Sequence, residues 1–261
     1  IEEQKQTMTK ILLLKFYNKN YSWGGLMGVR PTKVLRRLLA TGSTYEEAEN
    51  MLRDFYLVTD EKIKLLVDTV KKENEFLNRE HINLYIGIPF CPSKCKYCSF
   101  ASYEITSGVG RYYNGFVDTL LEEIEITGKY LKEKNLNIES LYMGGGTPTT
   151  LSEKDLERVL IQINRHLDMT NIKEFTLEAG REDSLTEKKF YLAKEYGVDR
   201  ISLNPQTFNE ETLAKVNRRF NRENFDKFFK LGKELGFIIN MDLIIGLPDE
   251  STEDILYTLD E

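Results

Sequence analysis

The three cysteines of the chain fall in one loop, Gly87-Ile-Pro-Phe-Cys91-Pro-Ser-Lys-Cys95-Lys-Tyr-Cys98-Ser-Phe100, directly after the short run Leu84-Tyr85-Ile86. Their spacing is C-x3-C-x2-C. Three thiolates can hold three irons of a cubane [4Fe-4S] cluster and leave the fourth iron open to a small ligand. Two other chemistries use cysteines. A structural zinc site takes four ligands, and the two histidines, His81 and His166, lack finger spacing to this loop. A disulfide framework would leave one cysteine over. The odd set favours the cluster, and the loop alone leaves the other two open.

Composition narrows the setting. The chain has 261 residues, 41% hydrophobic and 30% charged, which suits one large domain or a large and a small one. A net charge of -6 gives no sign of a nucleic-acid partner. No apolar stretch reaches the ~18 residues of a membrane span. The polar start, Ile1-Glu-Glu-Gln-Lys-Gln, does not read as a signal peptide. Clustered thiols with no other cysteines point to a reducing cytoplasm. The first residue is not Met and the last helix breaks off at Leu259-Asp-Glu261, so the chain is read as a piece of a longer protein.

Two regions must position the loop. Residues 1–80 read as helical. A short amphipathic run covers Thr9 to Tyr17, and a helix runs from Pro31 at its first turn to Leu39, with Gly42 as a stop. Two more helices, Thr44 to Tyr56 and Thr59 to Asn78, start at threonines with acids close behind. The glycine-rich break from Trp23 to Lys33 is either an interhelical turn or a loop that reaches the site. Residues 81–261 alternate short apolar runs (83–88, 139–143, 173–178, 199–204, 237–245) with amphipathic helices (111–134, 152–167, 186–196, 222–235). That alternation implies parallel strands joined by right-handed crossovers.

Strand parity chooses between an open doubly wound sheet and an incomplete (β/α) barrel. Side chains alternate faces along a strand. One face carries Asn83, Tyr85 and Gly87; Glu174, Thr176 and Glu178; Arg200, Ser202, Asn204 and Gln206; Asn240 and Asp242. The other carries Leu84, Ile86, Ile88; Phe175, Leu177; Ile201, Leu203; Ile239, Met241, Leu243. A doubly wound sheet would be apolar on both faces. A partial barrel explains the asymmetry: apolar residues face the outer helices and polar ones a ligand-sized lumen. Working residues then gather at the C-terminal ends of strands. There lie the cysteine loop, Gly144-Gly-Gly-Thr-Pro148, Glu178, Gln206 and Asp242.

These stretches resemble the radical S-adenosylmethionine (SAM) superfamily. The resemblance rests on Tyr85-Ile-Gly-Ile-Pro-Phe-Cys91 through Cys98, Tyr142-Met-Gly-Gly-Gly-Thr-Pro-Thr149, Thr176-Leu-Glu178-Ala-Gly, Asn204-Pro-Gln206-Thr-Phe208, Val216-Asn-Arg218 and Asp242-Leu-Ile-Ile-Gly-Leu-Pro248. More narrowly, they are similar to the oxygen-independent coproporphyrinogen III oxidase family (the HemN/HemW/HemZ group), and the preceding helical region looks most like the HemZ-type branch. The resemblance implies a partial (β/α)6 barrel with five strands visible here, a [4Fe-4S] cluster on Cys91, Cys95 and Cys98, and SAM chelating the open iron. It implies that Gly145, Gly146 and Thr147 approach the methionine end and that Glu178 lies near the SAM amino group. Arg218 would pair with the SAM carboxylate, Gln206 and Asp242 with the ribose hydroxyls, and Tyr85 and Tyr97 would flank cluster and SAM. A porphyrinogen-type substrate and an electron donor such as flavodoxin or ferredoxin are implied with them, the predicted reaction being oxidative decarboxylation of two propionates of coproporphyrinogen III to vinyls.

The sequence departs from the family at two places. Gly87 stands where many members have His, and Ser99 and Phe100 follow Cys98 without a further cysteine. A haem-binding chaperone on the same scaffold, or a radical SAM enzyme for another porphyrin-like substrate, are therefore the alternatives. His81 and His166 read as surface histidines. Arg30, Lys33 and Arg219 are available to substrate propionates without being assigned to them. Replacing Cys95 by Ser is expected to abolish SAM cleavage with the fold largely kept, measured as 5'-deoxyadenosine release beside circular dichroism; intact cleavage would contradict the cluster ligation.

Overall fold

Residues 2–28, 30–76 and 81–261 are described by the computed structural model, which separates into two units, Ile1–Asn78 and Arg79–Glu261. The first is helical: α1 (Glu2–Phe16), α2 (Thr32–Ala40), α3 (Tyr45–Asn50) and α4 (Asp60–Phe76). Helix α1 begins well before Thr9, because the residues ahead of it are Glu, Gln, Lys and Met, strong helix formers without an apolar stripe to announce them. Thr44 caps α3 in a capping box, accepting from the Glu47 N–H at 3.2 Å while its own N–H donates to the Glu47 carboxylate at 2.8 Å. The helix expected from Thr44 to Tyr56 changes to a π-helical turn at Met51–Phe55. Ile63, Leu66, Val67 and Val70 form the buried stripe of α4, packed in one core with Leu35, Ala48 and Leu52. Around Trp23 the break is a packed turn. The Gly25 N–H donates to the Tyr56 carbonyl at 2.6 Å, the Thr59 N–H to the Ser22 carbonyl at 3.1 Å, and Leu26 is buried. The expected end of α4 at Asn78, like Val29, lies outside the described residues.

The second unit holds β1 (His81–Ile88), β2 (Phe90–Cys91), β3 (Tyr103–Glu104), α5 (Tyr113–Glu133), β4 (Asn137–Gly145), α6 (Glu153–His166), β5 (Glu174–Glu178), α7 (Glu187–Glu195), β6 (Arg200–Ser202), α8 (Glu210–Lys215), α9 (Arg222–Glu234), β7 (Ile238–Asn240) and α10 (Thr252–Asp260). Five strands form one parallel sheet in the order β1-β4-β5-β6-β7. That order never reverses. A doubly wound sheet needs a reversal to place helices on both faces; one-way succession with right-handed crossovers puts every helix on the same side and curls the sheet into a barrel arc. Among the described residues the sheet is not closed, since β1 and β7 each have one neighbour.

Register makes the parity physical. Ile86, Met143, Leu177, Ile201 and Ile239 lie level across the five strands, as do Tyr85, Tyr142, Thr176, Arg200 and Ile238 on the opposite face. The first row packs outward with α6 residues Leu156, Val159, Leu160 and Ile163, which are fully buried. On the lumen face Tyr85 stacks on Tyr142, ring centroids 5.8 Å apart and 8° from parallel. Lower down, Arg200 donates to Glu174 at 2.8 Å, so two of the expected lumen charges neutralise each other.

Several expected boundaries shift. The fifth strand ends at Asn240 rather than running to 245, continuing only as a bridge between Gln206 and Leu243; Met241 and Leu243, expected against outer helices, are exposed on the edge. Helix α8 was not expected because only six residues long; Asn209 caps it and its Leu213 is buried. His81 lies inside β1, half-buried and 3.9 Å from Glu139, rather than on the surface before the strand. His166 ends α6 and is also half-buried. Phe175, fully buried at the centre of the outer face, carries the most direct stability test. Phe175→Ala should cost about 3–5 kcal/mol, read as a lowered denaturation midpoint of the barrel transition in urea; an unchanged midpoint would contradict this packing.

Candidate active site

The cysteine loop is held by backbone on both sides. Strands β2 and β3 clasp its ends, with the Tyr103 N–H donating to the Pro89 carbonyl at 2.7 Å and the Ile105 N–H to that of Cys91 at 2.9 Å. From the other side the end of β4 presses against it. The Gly146 N–H donates to the Ile88 carbonyl at 2.7 Å and the Thr147 N–H to that of Phe90 at 2.8 Å. Glycine is needed for this approach: a Cβ on Gly146 would lie 2.7 Å from the Phe90 oxygen and 3.0 Å from the Cys91 sulfur. The base of the loop reaches across the barrel, where the Lys96 N–H donates to the Val216 carbonyl at 2.9 Å and the Asn217 amide to that of Lys94 at 2.8 Å.

The thiols suit a polynuclear group. Cys91 and Cys95 are buried and Cys98 half-buried. Burial pushes the Cys91 thiol up, and the Thr147 and Ser102 hydroxyls and the Arg181 charge work the other way. The Thr147 hydroxyl donates to Cys91 Sγ at 3.4 Å, the Arg181 guanidinium to Cys95 Sγ at 3.7 Å, and the Ser102 hydroxyl lies 3.7 Å from Cys98 Sγ. Each sulfur has a polar hydrogen near it, as thiolate ligands want. Among the described residues no three His, Cys, Asp or Glu side chains converge on a single ion. Three thiols with polar groups at their sulfurs fit the donor set of a cluster.

Two adjoining cavities surround the loop. The inner one is lined by Cys91, Cys95, Tyr97, Cys98, Gly146, Thr147, Glu178, Gln206 and Arg218 together with Ser93, Lys94, Phe100, Ser102, Gly180, Arg181 and Asn204. The outer one, of about 610 Å³, is lined by Tyr85, Gly87, Ile88, Pro89, Phe100, Ala101, Phe116, Tyr142, Gly145, Glu178 and Asp242. Every residue expected at the site thus faces one cavity or the other, with Glu178 on both. Thr147 does so with a difference: its hydroxyl is directed at Cys91 rather than into the inner cavity.

Electrostatics separate two ends. Burial pushes the Glu178 carboxyl up to about 7; the nearby Asp242 adds to this, and the Gly145 N–H and Tyr142 hydroxyl partly offset it. A Cβ on Gly144 would sit 2.7 Å from a Glu178 oxygen, so the glycine edge also makes room for this carboxylate. Arg218 is 5% exposed. Its Nη2 donates to the carbonyls of Gly180, at 2.6 Å, and Asn204, and its Nη1 to the Tyr97 hydroxyl at 3.3 Å, while its Nε has no partner. A buried guanidinium without a carboxylate partner is ready for an anion. Gln206 holds a left-handed backbone, φ +67°, fixed by the Asp242 carbonyl and the Ile244 N–H at 3.0 Å each. Its side-chain Oε1 is buried without a partner. Tyr97 and Tyr142 are each pushed up to about 12, chiefly by burial, and so stay protonated donors.

Sequence reasoning gave no site role to Arg181, Ser102, Asn204 or Tyr142, although it placed Asn204 on the lumen face and Tyr142 in a matching stretch. Arg181 and Asn204 sit just past strand ends, where position alone could have flagged them. Tyr142 is level with Tyr85. Ser102 carries no sequence signal.

Comparison with known proteins bears on the family and the fold. The family model described as the Radical SAM superfamily matches residues 85–261. The chain is 39% identical to the oxygen-independent coproporphyrinogen-III oxidase-like protein HemZ of Bacillus subtilis (strain 168), over 92% of this chain and 49% of that protein. It is 35% identical to the heme chaperone HemW of the same organism, over 67% of this chain and 45% of that one. In structure it matches the coproporphyrinogen III oxidase HemN of Escherichia coli, with a TM-score of 0.61 and 26% identity over 69% of this chain and 41% of that one. The chain spans about half the length of the curated relatives it matches.

Glu178 generates a prediction of sign. Its carboxyl titrates at about 7 in the folded chain against an ordinary 4.5. Folding therefore takes up a proton between those values, and stability falls as pH rises across that window. Glu178→Gln should remove that loss and raise the melting temperature at pH 8 but not at pH 4. The same change should weaken SAM binding at pH 8, and in the unsubstituted protein SAM affinity should fall as pH drops below about 7. Calorimetry at the two pH values checks both halves; a melting temperature at pH 8 no higher than that of the unsubstituted protein would contradict the assignment.

Proposed function

Because this chain belongs to the radical SAM superfamily, whose members bind a [4Fe-4S] cluster and SAM, we propose that it forms the catalytic barrel of an enzyme that oxidatively decarboxylates a porphyrinogen. The cluster and SAM, when bound, supply a carbon-centred radical able to take a hydrogen atom from an unactivated C–H bond. Each propionate would lose one hydrogen atom to that radical, one electron to an external one-electron acceptor, and CO2, to become a vinyl. The observation that carries the reading is the pairing of opposite charges around one cysteine loop: Glu178 on one wall and the buried Arg218, its Nε without a partner, on the other. An amino acid zwitterion has the matching ends.

The chain's own residues do the positioning. Cys91, Cys95 and Cys98 would ligate three irons. Glu178, ionised above about pH 7, would accept from the SAM ammonium, and the orphaned Arg218 Nε would donate to its carboxylate. The unpartnered Gln206 oxygen and the exposed Asp242 carboxylate would take the ribose hydroxyls. Gly145 and Gly146 would let the methionine end lie against bare backbone. The stacked Tyr85 and Tyr142, with Phe100 and Phe116, give the outer cavity flat apolar walls suited to a tetrapyrrole. An electron donor of the flavodoxin or ferredoxin type and a cytoplasmic setting belong to the same proposal. Among the described residues no helix is long and apolar enough to cross a membrane.

A second reading has its own support. Gly87 faces the outer cavity with no side chain, so no imidazole stands there to move protons, and HemW relatives are named as heme chaperones. Anaerobically reconstituted full-length protein given coproporphyrinogen III, SAM, a reductant and a one-electron acceptor decides between them. The proposal expects products lighter by one and two CO2 units with their hydrogens, alongside 5'-deoxyadenosine. SAM cleavage without decarboxylated porphyrinogen, together with tight retention of haem, would replace it by the chaperone reading.

A further inference from the structure

We propose that Arg181 is a positioning residue that sets the reduction potential of the cysteine-bound cluster, holding a permanent positive charge against the Cys95 sulfur. The inference rests on the reading of the loop as a cluster site and goes beyond ligation. Arg181 lies in the turn after β5, three residues past Glu178, and is 3% exposed. Its guanidinium is divided between two tasks. Nε and Nη2 donate to the two Asp183 oxygens at 2.9 and 2.6 Å. Nη1 donates to the Ser93 carbonyl at 3.0 Å and to Cys95 Sγ at 3.7 Å. Among the described residues it is the one guanidinium whose N–H reaches a cysteine sulfur; Arg218, in the same cavity, donates through Nη1 and Nη2 to Tyr97, Gly180 and Asn204 and leaves Nε without a partner.

A structural clamp alone would not need this arrangement. The Ser93 bond already ties the turn to the cysteine loop, and a neutral donor would serve. What the guanidinium adds is charge that cannot be removed by deprotonation, placed where water does not screen it. Burial works against that charge, and Asp183, then the Cys95 and Cys91 sulfurs, outweigh it. Reduction by one electron, from a low-potential one-electron donor, adds one negative charge to a group already carrying three thiolates. A neighbouring cation favours the reduced state, and hydrogen bonds to cluster sulfurs act in the same direction. Asp183 opposes it. The pair therefore works as a matched offset: loss of the Arg181 charge lowers the potential, and loss of the Asp183 charge, with Arg181 left in place, raises it.

The test is an anaerobic potentiometric titration with dithionite, followed by electron paramagnetic resonance, on the reconstituted full-length protein and on Arg181→Gln, Arg181→Lys and Asp183→Asn. Iron and sulfide content is measured in each. The expected result is a more negative midpoint for Arg181→Gln, a more positive one for Asp183→Asn, and a value for Arg181→Lys nearer the unsubstituted protein than Gln. Equal midpoints for Gln and the unsubstituted protein, or shifts of the same sign for Arg181→Gln and Asp183→Asn, would overturn the inference while leaving the cluster reading intact. Should Arg181→Gln lose its cluster, Asp183→Asn still decides, since an unmoved or lowered midpoint there contradicts it. Failure of the unsubstituted protein to hold iron and sulfide would instead overturn the cluster reading, and this inference with it.

Discussion

The contact between the cysteine loop and the bare glycine edge of β4 is the constraint on which the rest of the site depends. Gly146 and Thr147 donate backbone N–H groups to Ile88 and Phe90 at 2.7 and 2.8 Å, which brings the Thr147 hydroxyl onto Cys91 and leaves no room for a Cβ at Gly146. The same edge, at Gly144, makes space for Glu178. One run of three glycines thus fixes a thiol, a carboxylate and the floor between them. Their contribution is the close approach they permit, which any side chain would cancel.

The barrel supplies the second half of the arrangement. A sheet whose strands succeed one another in one direction puts five strand ends on one rim, so residues far apart in sequence meet there without long loops. Burial then raises the Glu178 carboxyl to about 7 and leaves the Arg218 Nε and Gln206 Oε1 without partners. These groups cost stability in the unliganded chain. Unmet polar groups of this kind mark a place where a charged ligand completes the protein.

Much of this was legible in the sequence, for identifiable reasons. Alternation along β1, β5 and β6 has a period of two, which reveals faces once strand type is assumed, and the observed registers keep those faces. The cysteine spacing and the glycine run are local, so a short string carries them. What stayed hidden is nonlocal. Nothing adjacent to Arg181 in sequence says that its guanidinium reaches Cys95, 86 positions away. The Thr147 hydroxyl turns to Cys91 because β4 docks where it does. Strand β7 is shorter than its apolar run because it pairs only with β6, itself three residues long, and Met241 and Leu243 stay exposed beyond it.

The proposed centre is a four-iron group held by three thiolates, with one iron left open to SAM. Mössbauer spectroscopy of the iron-57-reconstituted protein, with and without SAM, tests it most directly. SAM is expected to change the signal of one iron site and leave the other three in place. Four sites unaffected by SAM, or a colourless protein carrying zinc in place of iron, would contradict it.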